Sequence, residues 1–116
     1  MKTKNPFYTH QEDGNFAIIA PLDSEELLET YYPFFEEHGY EGNGYCWEGH
    51  IIQILEKVDK DLLDHIEFDP EGGGFYAYAD SAANQQKFME ILGPIFSDLH
   101  VLETYVTSAD RSRIDD

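Results

Sequence analysis

Positive charge is what this sequence has least of: 7 Lys and Arg stand against 24 Asp and Glu in 116 residues, a formal net charge of -17. Lys4 is followed by no Lys or Arg until Lys57, so almost the whole N-terminal half carries acid without compensation. A field of that sign repels nucleic acid and anionic membrane and favours encounter with a basic partner. The single cysteine excludes an internal disulfide and suits a reducing compartment. No apolar run approaches the roughly 20 residues of a membrane-spanning helix. The opening Met-Lys-Thr-Lys-Asn-Pro leads into no apolar signal region. A cytoplasmic protein without direct contact to nucleic acid or membrane is the expectation.

Motifs for several chemistries are missing too. His10, His38, His50, His65 and His100 stand singly, with no pair at zinc-ligand spacing. Asp59, Asp61 and Asp64 lack the central glycine and closing glutamate of a calcium loop. The glycines of Glu71-Gly72-Gly73-Gly74 open no helix and precede no phosphate-binding lysine. No metal and no cofactor is expected.

What is present is enough for a core, since 41% of residues are apolar and 15% aromatic. A chain of this length buries roughly two thirds of its unfolded surface, and a single domain over residues 1–116 is expected. Pro6 to Thr9 and Asn15 to Ala20 read as strands joined by Gln11-Glu12-Asp13-Gly14, whose Asp-Gly is a turn signal. The near-continuous apolar run Phe16 to Ala20 predicts a central strand covered on both faces.

Asp23 or Ser24 can cap a first helix, with Leu27, Leu28, Tyr31, Tyr32 and Phe35 on one face. Pro33 should kink or divide it, and Gly39 suits the left-handed position past its end. Trp47, Ile51, Ile54, Leu55, Val58 and Leu62 predict a second helix from about Cys46 to about Leu63. Ile66 to Phe68 and Phe75 to Ala79 form a second hairpin around Asp69-Pro70-Glu71-Gly72-Gly73-Gly74. Its Tyr76 and Tyr78 share one face, either a second packing surface or a binding surface. Ser81 or Asp80 caps a third helix with Phe88, Leu92, Phe96 and Leu99 in its stripe, bent or split at Gly93-Pro94. The segment His100 to Thr107 fits a strand or a helix and leans to helix, and Ser108 to Asp116 reads as a frayed polar tail. The sum is an α+β fold, a small antiparallel sheet of two hairpins packed against about three helices.

Between the first two helices lies Gly39-Tyr40-Glu41-Gly42-Asn43-Gly44-Tyr45-Cys46-Trp47-Glu48, which holds the only cysteine and the only tryptophan. A thiol at a helix N-terminus is stabilised as thiolate by the helix dipole, and the Cys46-Trp47 pair is similar, over two residues, to that of papain-like enzymes. A hydrolase would need His65 or His100 folded back onto Cys46. The other reading is a small buried residue beside a core tryptophan.

That stretch, together with Ile66-Glu67-Phe68-Asp69-Pro70-Glu71-Gly72-Gly73-Gly74-Phe75-Tyr76-Ala77-Tyr78, resembles the immunity protein 51 family of bacterial polymorphic toxin systems. The resemblance runs from about Asn15 to Leu102, with the closing Ile114-Asp115-Asp116 as a further match. Cys46 stands where the family pattern often has an acidic residue, and Gly72 where it often has alanine. What the resemblance implies is an α+β fold, a characteristic tryptophan at Trp47, no catalysis, and inhibition of a cognate protein toxin by binding. The acidic sequence agrees, because a carboxylate-rich surface can occupy the basic cleft of a toxin such as a nuclease. The expected interface is Glu36, Glu37, Tyr40, Glu41, Asn43 and Tyr45, with Glu71 and Tyr76 as neighbours, supported structurally by Gly39, Gly44, Trp47 and Pro70. A general acidic interaction module is the alternative.

Overall fold

A computed structural model describes residues 2–115. Two antiparallel hairpins, β1 (Tyr8–Glu12) with β2 (Asn15–Ala20) and β3 (Ile66–Phe68) with β4 (Phe75–Ala79), merge into one sheet of order β1-β2-β4-β3. Pairing of β2 with β4 joins them, Ile18 lying opposite Ala77. With four α-helices and an antiparallel sheet among the described residues the chain is an α+β protein, as the sequence predicts.

The first strand lies later than expected. Asp13 and Gly14 both take positive φ, 50° and 80°, the backbone of a tight two-residue hairpin turn. That turn places Glu12 opposite Asn15, and pairing runs back to Tyr8 opposite Ile19. Pro6 and Phe7 therefore precede the strand. Phe7 instead enters the core, its ring edge-on to Trp47, Phe75, Phe88 and Phe96.

The central position of β2 agrees with its apolar run, but cover on both faces does not. Ile18 and Ala20 point into the core, whereas Ile19 lies on the outer face between Tyr8 and Tyr76 and is only half-buried. Tyr8 and Tyr78 on that face are exposed. The helices take the inner face, against Phe75, Ala77 and Ala79.

Helix α1 (Glu25–Glu37) is capped by the Ser24 hydroxyl and carries Glu25 and Glu26 in its first turn, where acid favours the dipole. It runs through Pro33 without dividing. Pro33 and Glu29, whose carbonyl loses its amide partner there, are both exposed, so water can satisfy that carbonyl. The same holds for α3 (Ala82–Phe96), where Pro94 and Glu90 are exposed and Ser81 is the cap. The close of α1 is a Schellman motif: Gly39, with φ 86°, donates to Glu36 O, and Tyr40 N–H reaches Phe35 O at 2.9 Å.

Helix α2 (Gly44–Val58) stops sooner than the apolar periodicity suggested. Asp59 leaves helical geometry, and a 3-10 turn over Lys60–His65 carries Leu62 into the core while Val58 stays exposed. The ambiguous C-terminal segment is helical, α4 (Leu99–Ser108), burying Leu102 and Val106. No helix of the described residues is long and apolar enough to cross a membrane.

The tail is anchored rather than frayed. Gln53 and Asp110 exchange two hydrogen bonds, Gln53 donating to Asp110 O at 3.0 Å and accepting from Asp110 N–H at 2.8 Å. Arg113 grips Glu56 with both guanidinium nitrogens, at 3.0 and 2.7 Å, which holds the Glu56 carboxyl below its usual range. That pair contributes above the ordinary carboxylate range and is lost as pH falls through the lowered Glu56 value.

Arg111 lies over the Tyr40 ring at 4.2 Å and donates to the carbonyls of His38, at 3.2 Å, and Gly39, at the negative end of α1. Ile114 packs on Gly49, where a Cβ would come within 3.0 Å of it. All six partners, His38, Gly39, Tyr40, Gly49, Gln53 and Glu56, lie far away in sequence, so composition could not reveal them. Arg111→Ala should lower stability by about 1 kcal/mol, the sum of a cation–π contact and exposed charge-assisted bonds. A urea midpoint indistinguishable from wild type would show that the Arg111 contacts add nothing to stability.

Candidate functional site

The connection between α1 and α2 is built by local chemistry and then locked by the second hairpin. Gly42, with φ 81°, turns the chain so tightly that a Cβ there would lie 3.1 Å from the Phe35 Cβ. Asn43 caps α2, its side-chain oxygen accepting from Cys46 N–H at 2.9 Å. Gly44 begins the helix against the hairpin turn, where a Cβ would fall 2.0 Å from Glu71 O and 2.2 Å from Gly74 O. The Gly44 N–H points at Gly72 O, 3.4 Å away. Glu71 and Gly74 close the turn with a short antiparallel bridge.

These elements leave a cleft of about 260 Å³ between α1, the Glu41-Gly42-Asn43 loop and the Gly72-Gly73 turn. Leu22, Leu27, Leu28, Tyr31, Tyr32 and Trp47 form its apolar lining, and Asp23 and Glu41 contribute carboxylates. Leu28 and Tyr32 are 44% and 46% exposed, so they belong to this cleft and not to the core stripe assigned to them from helical spacing. Phe34 takes a place in that stripe instead. An apolar arc holding Leu27, Leu28, Tyr31, Tyr32, Phe34 and Phe35 is wider than one core contact requires, and that excess was the available signal. Glu36 continues the row Leu28, Tyr32 at four-residue spacing.

The structure separates the expected interface residues into four groups. Glu41 and Asn43 border the cleft; Glu36, Glu37, Tyr45 and Glu71 are exposed on α1, the first turn of α2 and the hairpin turn. Tyr76 lies apart on the outer face of the sheet, half-buried, its ring so close to Gly74 that a Cβ there would meet it at 2.6 Å. Tyr40 turns inward. It is 6% exposed, edge-on to His50 with centroids 4.8 Å apart and covered by Arg111. Pro70, in the hairpin turn, is half-buried.

Trp47 is fully buried, packed on Tyr31, Phe35 and Phe96 at centroid distances of 5.1, 6.1 and 4.7 Å. Its indole nitrogen has no acceptor among the described residues.

Cys46 meets His50, not the expected His65 or His100. Its sulfur lies 3.5 Å from His50 Nδ1, one helical turn on, while that nitrogen is 2.9 Å from the Cys46 carbonyl oxygen. A carbonyl only accepts, so Nδ1 carries the proton and is no base toward the thiol. Both side chains are closed to solvent, 0% and 1% exposed. His65 instead contacts Asp80 at 2.6 Å, and His100 is exposed at the start of α4. This arrangement gives a thiol hydrolase neither substrate access nor an activating base. Among the described residues no group of three or more His, Cys, Asp or Glu is placed to hold a metal ion.

Comparison with known proteins gives a family and no neighbour within reach. No curated protein and no solved structure matches the chain. The family model described as immunity protein 51 matches residues 19–111. That span takes in α1, the Gly39 to Glu48 connection, Trp47, the second hairpin and α4, and over it the chain belongs to the immunity protein 51 family.

Proposed function

We propose that this protein neutralises a cognate toxin of a bacterial polymorphic system by binding it, in the cytoplasm, as a single domain and without chemistry of its own. Family membership carries the reading. Charge supports the mode: α1 and the loop after it lie wholly within the stretch that lacks Lys and Arg, and present Glu25, Glu26, Glu29, Glu36, Glu37 and Glu41 exposed. A surface of that kind steers a basic partner and suits a toxin whose active-site cleft is basic, as in a nuclease. Glu36, Glu37, Glu41, Asn43, Tyr45 and Glu71 are the contact residues on this reading. Tyr40 supports them from below, holding Arg111 against the end of α1, and Tyr76 shapes the hairpin turn through Gly74.

Co-expression with the toxin encoded beside the gene tests this directly. Growth should be restored by the wild-type protein. Its association rate with the purified toxin domain should fall at least about tenfold between low salt and 1 M salt, where the screening length drops to about 3 Å. A folded protein that neither rescues growth nor binds would overturn the reading.

A further inference from the structure

We propose that the cleft between α1 and the two glycine loops is the seat of one apolar side chain of the toxin, presented beside a lysine or arginine. This rests on the toxin-binding reading and narrows it to one place and one chemistry. Four observations converge on it.

The cleft has apolar walls that the protein leaves open, since Leu28 and Tyr32 stay about half exposed while Leu27 and Tyr31 beside them are buried. Interfaces concentrate affinity where an aromatic or aliphatic anchor fills such a pocket. At about 260 Å³ it is smaller than the roughly 300–1,000 Å³ of pockets that enclose drug-sized ligands, and fits a side chain better than a metabolite.

Its charge has one sign. Asp23 and Glu41 line it, no Lys or Arg among the described residues does, and Glu25, Glu29 and Glu36 follow on the same helix. The cation that comes toward this end of α1, Lys4, is engaged with Glu26 at 3.8 Å. A segment bearing an apolar residue next to a basic one matches both features.

The cleft is also preformed. Gly44 holds the hairpin turn against α2 by backbone contact, and Gly42 packs on Phe35, so two of the three walls are fixed before any partner arrives. Other occupants fit poorly. A second copy would bring a charge of -17 against -17, and the tail of this chain is engaged by Tyr40, Gln53 and Glu56 elsewhere.

The test uses the purified toxin domain encoded beside the gene. Leu28→Ser and Tyr32→Ser should each weaken binding by at least about tenfold and abolish growth rescue, with circular dichroism and melting close to wild type because both residues are exposed. Val101→Ser, an exposed apolar change on α4, should bind as wild type does. A photo-crosslinking phenylalanine analogue in place of Tyr32 should attach to a toxin peptide holding Lys or Arg within a few residues. If wild type binds the toxin but both serine variants bind equally well, the cleft is not the seat and toxin binding stands. Crosslinks between copies of this chain would assign the cleft to a second copy and overturn the inference. Failure of the wild-type protein to bind overturns the toxin reading, and this one with it.

Discussion

Gly44→Ala should lower the melting temperature by roughly 10–20 °C, although by helix propensity alone it should stabilise the protein. Alanine inside a helix is favoured over glycine by up to about 1 kcal/mol, and Gly44 opens α2 without positive φ. Against this, the new methyl would stand 2.0 and 2.2 Å from two backbone carbonyl oxygens of the hairpin turn. Neither atom is the end of a flexible side chain. The turn must retreat by more than 1 Å, which breaks the approach of Gly44 N–H to Gly72 O and opens the packing of α2 on the sheet. Overpacking costs about 1–3 kcal/mol, and clash with backbone belongs at the top of that range. For a chain of this size about 3 kcal/mol corresponds to the stated shift. Gly72→Ala is the control, since nothing lies within 4 Å of a Cβ there. Equal melting of the Gly44 and Gly72 variants would mean that α2 and the turn are not in contact.

Trp47→Ala should cost about 3–5 kcal/mol, a large share of the roughly 5–15 kcal/mol that holds a domain together. The indole is wholly buried among Tyr31, Phe35, Phe96 and Phe7, rings from three separate parts of the chain. No local shift can close the space that its loss would leave. Trp47→Phe should be much milder. It keeps an aromatic ring and removes an indole N–H that is buried without an acceptor, a state that costs about 1–3 kcal/mol. Chemical denaturation followed by far-UV circular dichroism would measure both, because each variant loses the only tryptophan fluorophore. Equal losses in the two variants would show that indole volume, and not ring packing with an unpaired donor, sets the energy.

Much of the fold was legible because it follows from neighbours in sequence. Asp13-Gly14 adopts a hairpin turn wherever the flanking residues pair, Ser24 and Ser81 cap the helices that follow, and Gly39 ends α1. Register was less legible, since a two-residue turn and a four-residue turn share Asp-Gly but place the first strand differently. Candidate interface residues could be named by type, but their sidedness could not. Tyr40 and Tyr45 stand five apart in one glycine-rich stretch, and one is buried beneath Arg111 while the other is exposed on the first turn of α2.

The sequence by itself determined the α+β class, the acidic N-terminal half, the lack of metal and nucleotide motifs, and the pair of motifs that mark the family. Periodicity, turn chemistry and charge are properties of short segments, and short segments express them in nearly any fold. Only the tertiary structure decided that Leu28 and Tyr32 face a cleft, that the tail is tied to Tyr40, Gln53 and Glu56, and that Gly44 must be glycine. Each of these depends on what a distant segment brings within a few ångströms. Steric exclusion and burial are set by such neighbours and leave no mark in the local pattern.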